Sequence, residues 1–189
     1  MTHYTPSASR GTCLTPTDPS LLGNPLDFLA EDHLRERHIL SLIDEVAISP
    51  QRDVDTLRDI LAFLVEELPL HLADEDTDFF PLMRRRCTPE DEIEKVLTKL
   101  QSDHDHSDAS TLGVIDLLRR NLRDNLPCSD ADRAILQDYA NKARRHLILE
   151  NAVLMPLARL RLHPRDLDVL RDAMLHRRGL DQLFGAPNA

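Results

Sequence analysis

The chain has 189 residues, 41% of them hydrophobic, and its 23 Lys+Arg against 33 Asp+Glu give a formal charge of −10. That length supports one domain with its own core, flanked at most by tails. The acidic balance speaks against a nucleic-acid binder, which needs a basic footprint, and against electrostatic docking on an anionic membrane. No run approaches the roughly 20 apolar residues a membrane span requires. Cys13, Cys87 and Cys128 are scattered without a CxxC pair, so reduced thiols and a cytoplasmic setting are expected.

Residues 1–23 are rich in Ser, Thr and Pro without the charge and apolar run of a signal peptide, and read as a disordered tail. Asn24-Pro25 is a helix cap followed by proline at the first helical position. From there Leu26, Leu29, His33, Arg37, Leu40 and Ile43 recur at helical spacing, and Ser49-Pro50 ends the first helix. A second helix is expected from Asp53 to Arg86, with Leu57, Leu61, Leu64, Leu68, His71, Glu75, Phe79 and Leu82 on one face. Pro69 inside it predicts a local kink just before His71.

Thr88-Pro89-Glu90-Asp91 caps a third helix with the stripe Ile93, Leu97, Leu100, His104, Asp108, Thr111, Ile115, Leu118 and Leu122. Ser129 and Asp132 form the capping pattern of a fourth, whose stripe is Leu136, Tyr139, Ala143, His146, Glu150, Val153, Leu157 and Leu160. His163-Pro164 breaks it, and a short fifth helix runs to Gly179 before a loose tail. No alternating strand pattern occurs. The expected architecture is all-α: an up-down-up-down four-helix bundle over 24–162, because short connections force antiparallel neighbours, with the short helix and tail in 163–189.

The polar residues on the four stripes carry the functional signal. His71 and Glu75 form a His-x3-Glu pair, and so do His146 and Glu150; Pro81-Leu82 and Pro156-Leu157 follow at the same distance. One such pair is expected about half a time by chance, so the duplication is what counts. On a helix, residues i and i+4 lie one above the other and aim at one point. Each pair follows a lone histidine, His33 at 38 positions before His71 and His104 at 42 before His146, so the chain halves into two hairpins with pseudo-two-fold symmetry. Four imidazoles and two carboxylates in an apolar bundle carry a large desolvation cost unless cations offset it. Metal binding by His33, His71, Glu75, His104, His146 and Glu150 follows. The absence of thiolates and the mix of imidazole and carboxylate suit iron, manganese or zinc.

This six-residue pattern resembles the hemerythrin-like proteins, the HHE cation-binding domain, over about 25–160. The resemblance implies a four-helix bundle holding two non-haem iron ions. Glu75 and Glu150 would bridge them, His33 and His71 would serve one iron, and His104 and His146 the other. Dioxygen, or an oxo or hydroxo bridge, is the implied exogenous ligand. Two positions depart from the oxygen carriers of that family. Asp108 stands where they have a fifth histidine, and His146-x3-Glu150 stands where they have His-x4-Asp. Asp108 is then a further ligand, an acceptor orienting an imidazole, or a sign that water fills that position.

Three functions fit these residues: binding or sensing dioxygen, NO or peroxide, with a protein partner for signalling through the fifth helix or the tails; a peroxidase-like or NO-decomposing enzyme, for which Tyr139 is a candidate proton donor; and an iron store or structural metal module. His3, His38, His106, His163 and His176 are expected at the surface. Asp74, Asp76 and Asp78 read as a solvated edge, and Arg84, Arg85 and Arg86 as a helix C-terminus with dipole-favourable charge.

Overall fold

The computed structural model of the chain describes residues 15–49, 53–124 and 126–183. Helix α1 is Pro25–Ile48, opened by Asn24, whose side chain accepts from the Leu26 N–H. Helix α2 spans 54–86 as five contiguous segments, in which π turns Phe63–Glu67 and Glu75–Phe79 interrupt α-helical Val54–Ala62, Leu68–Asp74 and Phe80–Arg86. Helix α3 is Ile93–Asp124. Helix α4 runs through Asp130–Leu149, the π turn Glu150–Leu154 and Met155–Arg161. Helix α5 is Pro164–Arg177, followed by Gly179 at φ 68. No strand occurs among the described residues, and none of their helices is long and apolar enough to cross a membrane. Cys87 and Cys128 are free; Cys13 lies outside the described residues.

The expected ends agree to within a residue or two, because the capping chemistry is local. Ser129 accepts from the Asp132 N–H while Asp132 reaches back to the Ser129 N–H, a reciprocal cap. Thr88 and Asp91 make the same box, but it closes a 3-10 turn, Pro89–Asp91. Glu92 then takes the left-handed conformation at φ 48, and α3 starts only at Ile93. The amino-terminal segment also differs from expectation. Pro19–Gly23 is a 3-10 turn whose Leu22 is fully buried, and Thr17 is buried as well. Packing therefore begins before residue 24; residues 1–14 lie outside the described part, as do 184–189 of the expected loose tail.

The kink expected from Pro69 takes the form of a π turn, and the same device recurs twice. Pro69, Pro81 and Pro156 each occupy the second position of the segment after a π turn. Proline lacks an N–H, and its ring clashes with the carbonyl four residues back. Each wider turn moves the preceding carbonyls aside, closing with an N–H five residues on: Leu68 to Phe63, Phe80 to Glu75 and Met155 to Glu150. One extra residue per turn shifts the inward face. Of the stripe predicted as Val153, Leu157 and Leu160 in α4, only Leu157 packs against the core, half-buried; the fully inward positions are Leu154, Met155, Ala158 and Leu162, and Leu160 is 71% exposed.

Each of α1 to α4 touches its antiparallel neighbours, α1 against α2 and α4, and α3 against α2 and α4. Their apolar faces form two clusters. One, at the end where α5 packs, holds Leu29, Phe79, Phe80, Leu100, Leu154 and Met174. The other holds Ile39, Leu64, Leu68, Val114, Tyr139 and Leu147. On α1, α2 and α3 the buried residues of the first cluster lie on one side of the expected metal-facing histidine and those of the second on the other; on α4 the same division holds except for Leu147, next to His146. The six polar residues thus form a layer between two apolar plugs. Bidentate pairs lock the α5 end: Arg86 donates to Asp166 at 2.8 and 2.8 Å, and Arg161 to Asp91 at 2.9 and 2.8 Å.

Candidate metal centre

All six residues singled out by the pattern meet in this layer. His33, Glu75 and Glu150 are fully buried, His71 and His104 are 5% exposed, and the His146 side chain is 12% exposed. His33 Nε2 lies 3.4 Å from Glu75 Oε1 and 3.5 Å from Glu150 Oε2. Glu75 Oε2 is 3.6 Å from His71 Nε2 and 3.5 Å from His104 Nε2. Glu150 Oε1 is 3.0 Å from His146 Nε2, and the two Nε2 atoms of His104 and His146 are 3.0 Å apart. The imidazole–glutamate contacts are close in distance but not aligned as hydrogen bonds. Both oxygens of Glu75 and of Glu150 and both ring nitrogens of His33 have no hydrogen-bond partner.

Buried acceptors without donors are costly, and this set resolves into two groups whose donor atoms lie within 4.8 Å of one another. His33, His71, Glu75 and Glu150 form the first; Glu75, His104, His146 and Glu150 form the second. Both glutamates belong to both groups. Two cations set side by side would give every orphaned oxygen a partner, so the residues present fit a metal pair.

The electrostatics of the unmetallated cluster point the same way. Burial pulls the His33 pKa down, but the Glu150 and Glu75 carboxylates outweigh it and raise it. Burial likewise opposes His71, which Glu75 and Asp32 hold well above the ordinary histidine range. His146 is lifted to about 9, with Glu150 and Glu75 overcoming its burial. Burial would raise Glu150, yet His33, His146 and His71 hold it well below the usual carboxylate range. Glu150 thus retains negative charge in a buried layer, and protons are drawn onto His33, His71 and His146; a divalent cation would take the place of those protons.

Three carboxylates outside the pattern face the far side of the rings. Asp32 Oδ2 is 3.5 Å from His71 Nδ1, Asp76 Oδ2 is 3.0 Å from His104 Nδ1, and Asp103 Oδ2 is 3.6 Å from His146 Nδ1. These contacts are close in distance but not aligned as hydrogen bonds; an acid beside Nδ1 favours the tautomer that presents Nε2 to a metal. Asp32 is held by the Thr17 hydroxyl, which ties the amino-terminal segment to the site. The signal was in the sequence: each lone histidine is preceded by aspartate, as Asp32-His33 and Asp103-His104. The Asp-rich stretch is therefore no solvated edge. Asp76 serves His104, while Asp74 is fully buried against Arg177 and Arg178, and Arg177 also donates to Asp78 at 2.6 Å.

Asp108 is exposed and belongs to neither donor group, so it is not a ligand. At about 100° per residue a step of four overshoots the inward face by about 40°. Arg37 misses it by the same step from His33 and is also exposed. The residues at i+3 turn inward instead: Glu36, 7% exposed, and Ser107, half-buried. Burial raises the Glu36 pKa. Of the remaining histidines, His106, His163 and His176 are exposed, His38 is half-buried and His3 lies outside the described residues. Arg84, Arg85 and Arg86 do end α2, but Arg84 also pairs with Glu94 and Arg86 with Asp166.

A cavity of about 460 Å³ opens beside the donor cluster, with His71, His104 and His146 in its wall and Glu36 and Tyr139 at its buried end. Tyr139 is a core residue as well as a wall residue. Its hydroxyl accepts from Thr111 Oγ1 at 3.5 Å, and burial pushes its pKa up, so the phenol stays protonated.

A helical bundle with a buried, duplicated His/Glu cluster defines a metal-binding helical protein. The chain matches the family model of the hemerythrin HHE cation binding domain over residues 24–158 and belongs to that family. No curated protein matches it.

Proposed function

We propose that the chain is a non-haem di-iron protein that binds dioxygen or a related small molecule, NO or peroxide, inside the bundle. The observation that carries this reading is that the two donor groups share both glutamates. If Glu75 and Glu150 served both ions and two imidazoles served each, coordination positions would remain free for an exogenous ligand. Iron held there would supply reversible one-electron chemistry and a seat for that ligand. The chain's own residues do the rest: Asp32, Asp76 and Asp103 orient three imidazoles, the apolar plugs close the layer at its two ends and leave the cavity as the way in, and the Tyr139 phenol offers a proton or hydrogen bond from that cavity. One observation favours an enzyme that turns over peroxide or NO over a simple carrier. The cavity of about 460 Å³ far exceeds what a diatomic ligand needs, since a water molecule's share of liquid volume is about 30 Å³.

The test is metal content per chain together with absorption spectra in air, under a reductant and with azide. Two irons per chain, a near-ultraviolet band that changes on reduction and a shift with azide are expected. Protein grown in iron-rich medium that carries no transition metal would overturn the reading. A spectrum indifferent to azide would remove the open coordination position.

A further inference from the structure

The same cavity shows a charge balance that binding of a neutral diatomic does not call for. The protein is strongly acidic, yet the formally charged side chains on this wall, apart from histidines, are Lys99, Lys142 and Arg145 against Glu36 and Asp103. Asp103 is already engaged, accepting from Lys99 and facing His146 Nδ1. Glu36 is buried, and its burial favours the neutral carboxyl. Among the described residues Lys142 forms an ion pair with the exposed Asp138, at 2.6 Å, a pair that solvent screens. Arg145 is exposed at the mouth and makes no ion pair among the described residues. The mouth therefore presents positive charge to solvent, and the wall between the mouth and the imidazoles is apolar at Leu68, Leu72 and Ala143. Volume, an apolar wall and a guanidinium at one end match the common form of a small-molecule site.

We propose that this cavity binds a small organic carboxylate, its anionic end held by Arg145 and Lys142 at the mouth and its apolar body against Leu68, Leu72 and Ala143. A guanidinium can receive a carboxylate through two parallel hydrogen bonds. A phosphate dianion would call for more uncommitted cations than the mouth offers, and inorganic phosphate serves as a comparison arm. The bound molecule lies between solvent and His71, His104 and His146, so it is the substrate, or the gatekeeper, of the centre proposed above. The inference rests on that reading for the ligand's role but not for its charge, which the cavity's own residues select.

Full-length protein carrying its metal is titrated by calorimetry with acetate, hexanoate and benzoate, each beside its neutral amide, and with inorganic phosphate. At least one acid is expected to bind about tenfold or more tightly than its amide, the scale of a charge-assisted hydrogen bond. Lys142→Gln with Arg145→Gln is expected to cut that preference below about threefold, with helicity, metal content and the azide spectrum unchanged. Both side chains are exposed, so the variant keeps its packing. The proposal is overturned by acids and amides that bind alike, by phosphate that binds more tightly than every carboxylate, or by a preference that survives the double substitution. The last result would mean that the acid ligates metal without using the mouth. Metal content and the azide spectrum report on the di-iron reading separately, so either can fail alone.

Discussion

The first hairpin, α1 with α2, and the second, α3 with α4, carry the same three inward groups but surround them differently. In the first, Asp74 precedes the glutamate and is fully buried between Arg177 and Arg178 of the α5 region. In the second the equivalent residue is Leu149, packed on the apolar cluster. Asp76 follows Glu75 and faces His104 across the bundle. Asn151 follows Glu150 and donates instead to its own helix, at Leu147 O, at 2.7 Å; among the described residues no acid pairs with His33 Nδ1. The first half is closed by α5 and by Thr17, whereas the second supplies most of the cavity wall and the most exposed of the imidazoles, His146. A duplicated ligand pattern thus sits in unlike settings. One half is closed over by neighbouring elements, and the other opens onto the cavity.

The largest expected effect tests what the halves share. Glu75→Ala with Glu150→Ala removes the carboxylates common to both groups, and bound metal should fall from two ions per chain to near none. His146→Ala removes a ligand of the second group only and should retain about half the metal. Elemental analysis of the two variants decides; equal losses would mean that the groups are not separate. Next comes Arg177→Ala with Arg178→Ala, which leaves Asp74 buried without its partners. Such a change costs about 3–5 kcal/mol, read as a shift in the denaturant midpoint. Leu149→Ala in the other half creates a cavity without stranding a charge.

A smaller effect concerns the acids behind the rings. Asp32→Ala and Asp103→Ala should each weaken metal binding by about 10–100-fold. The loss should be greater at Asp32, because the Asp103 side chain is 34% exposed and water can replace it, whereas that of Asp32 is 15% exposed. Competition with a chelator of known affinity ranks them, and the reverse order would undo the assignment of a closed and an open half. The broadest and shallowest effect is on pH. In metal-free protein the folded pKa of His146, about 9, lies above its unfolded value, which is about 6.5. A raised histidine pKa contributes stability that is complete below about 6.5 and is lost as pH rises through about 9. Denaturation of the metal-free chain should therefore grow easier across that interval. Metal affinity should rise over the same interval, because binding displaces protons.

Much of this was legible in the residues, for reasons that are local. Asn24-Pro25, Ser129 and Pro164 mark helix starts because a cap acts within three or four residues. The six inward residues were legible because an i,i+4 pair keeps its meaning on any regular helix. What stayed hidden depends on distant partners or on the helix ceasing to be regular. Asp74 looked like one of three solvated acids, and only Arg177 and Arg178, more than a hundred positions on, bury it. Leu22 looked like part of a tail because the cluster that covers it comes from four other helices and α5. Asp108 was placed inward by counting in fours, a step whose drift the periodic stripe conceals.

The π turns that begin at Glu75 and Glu150 have a consequence for how the sequence can change. Each amounts to a single-residue insertion directly after the histidine-to-glutamate step. It separates a ligand-bearing stretch, whose register must not slip, from a core-bearing stretch with its own phase. Substitutions that repack Phe80, Met83, Met155 or Ala158 can then rotate or shift the distal helix while the widened turn absorbs the error. Each widened turn is thus a joint at which the two ends of a helix can be repacked separately.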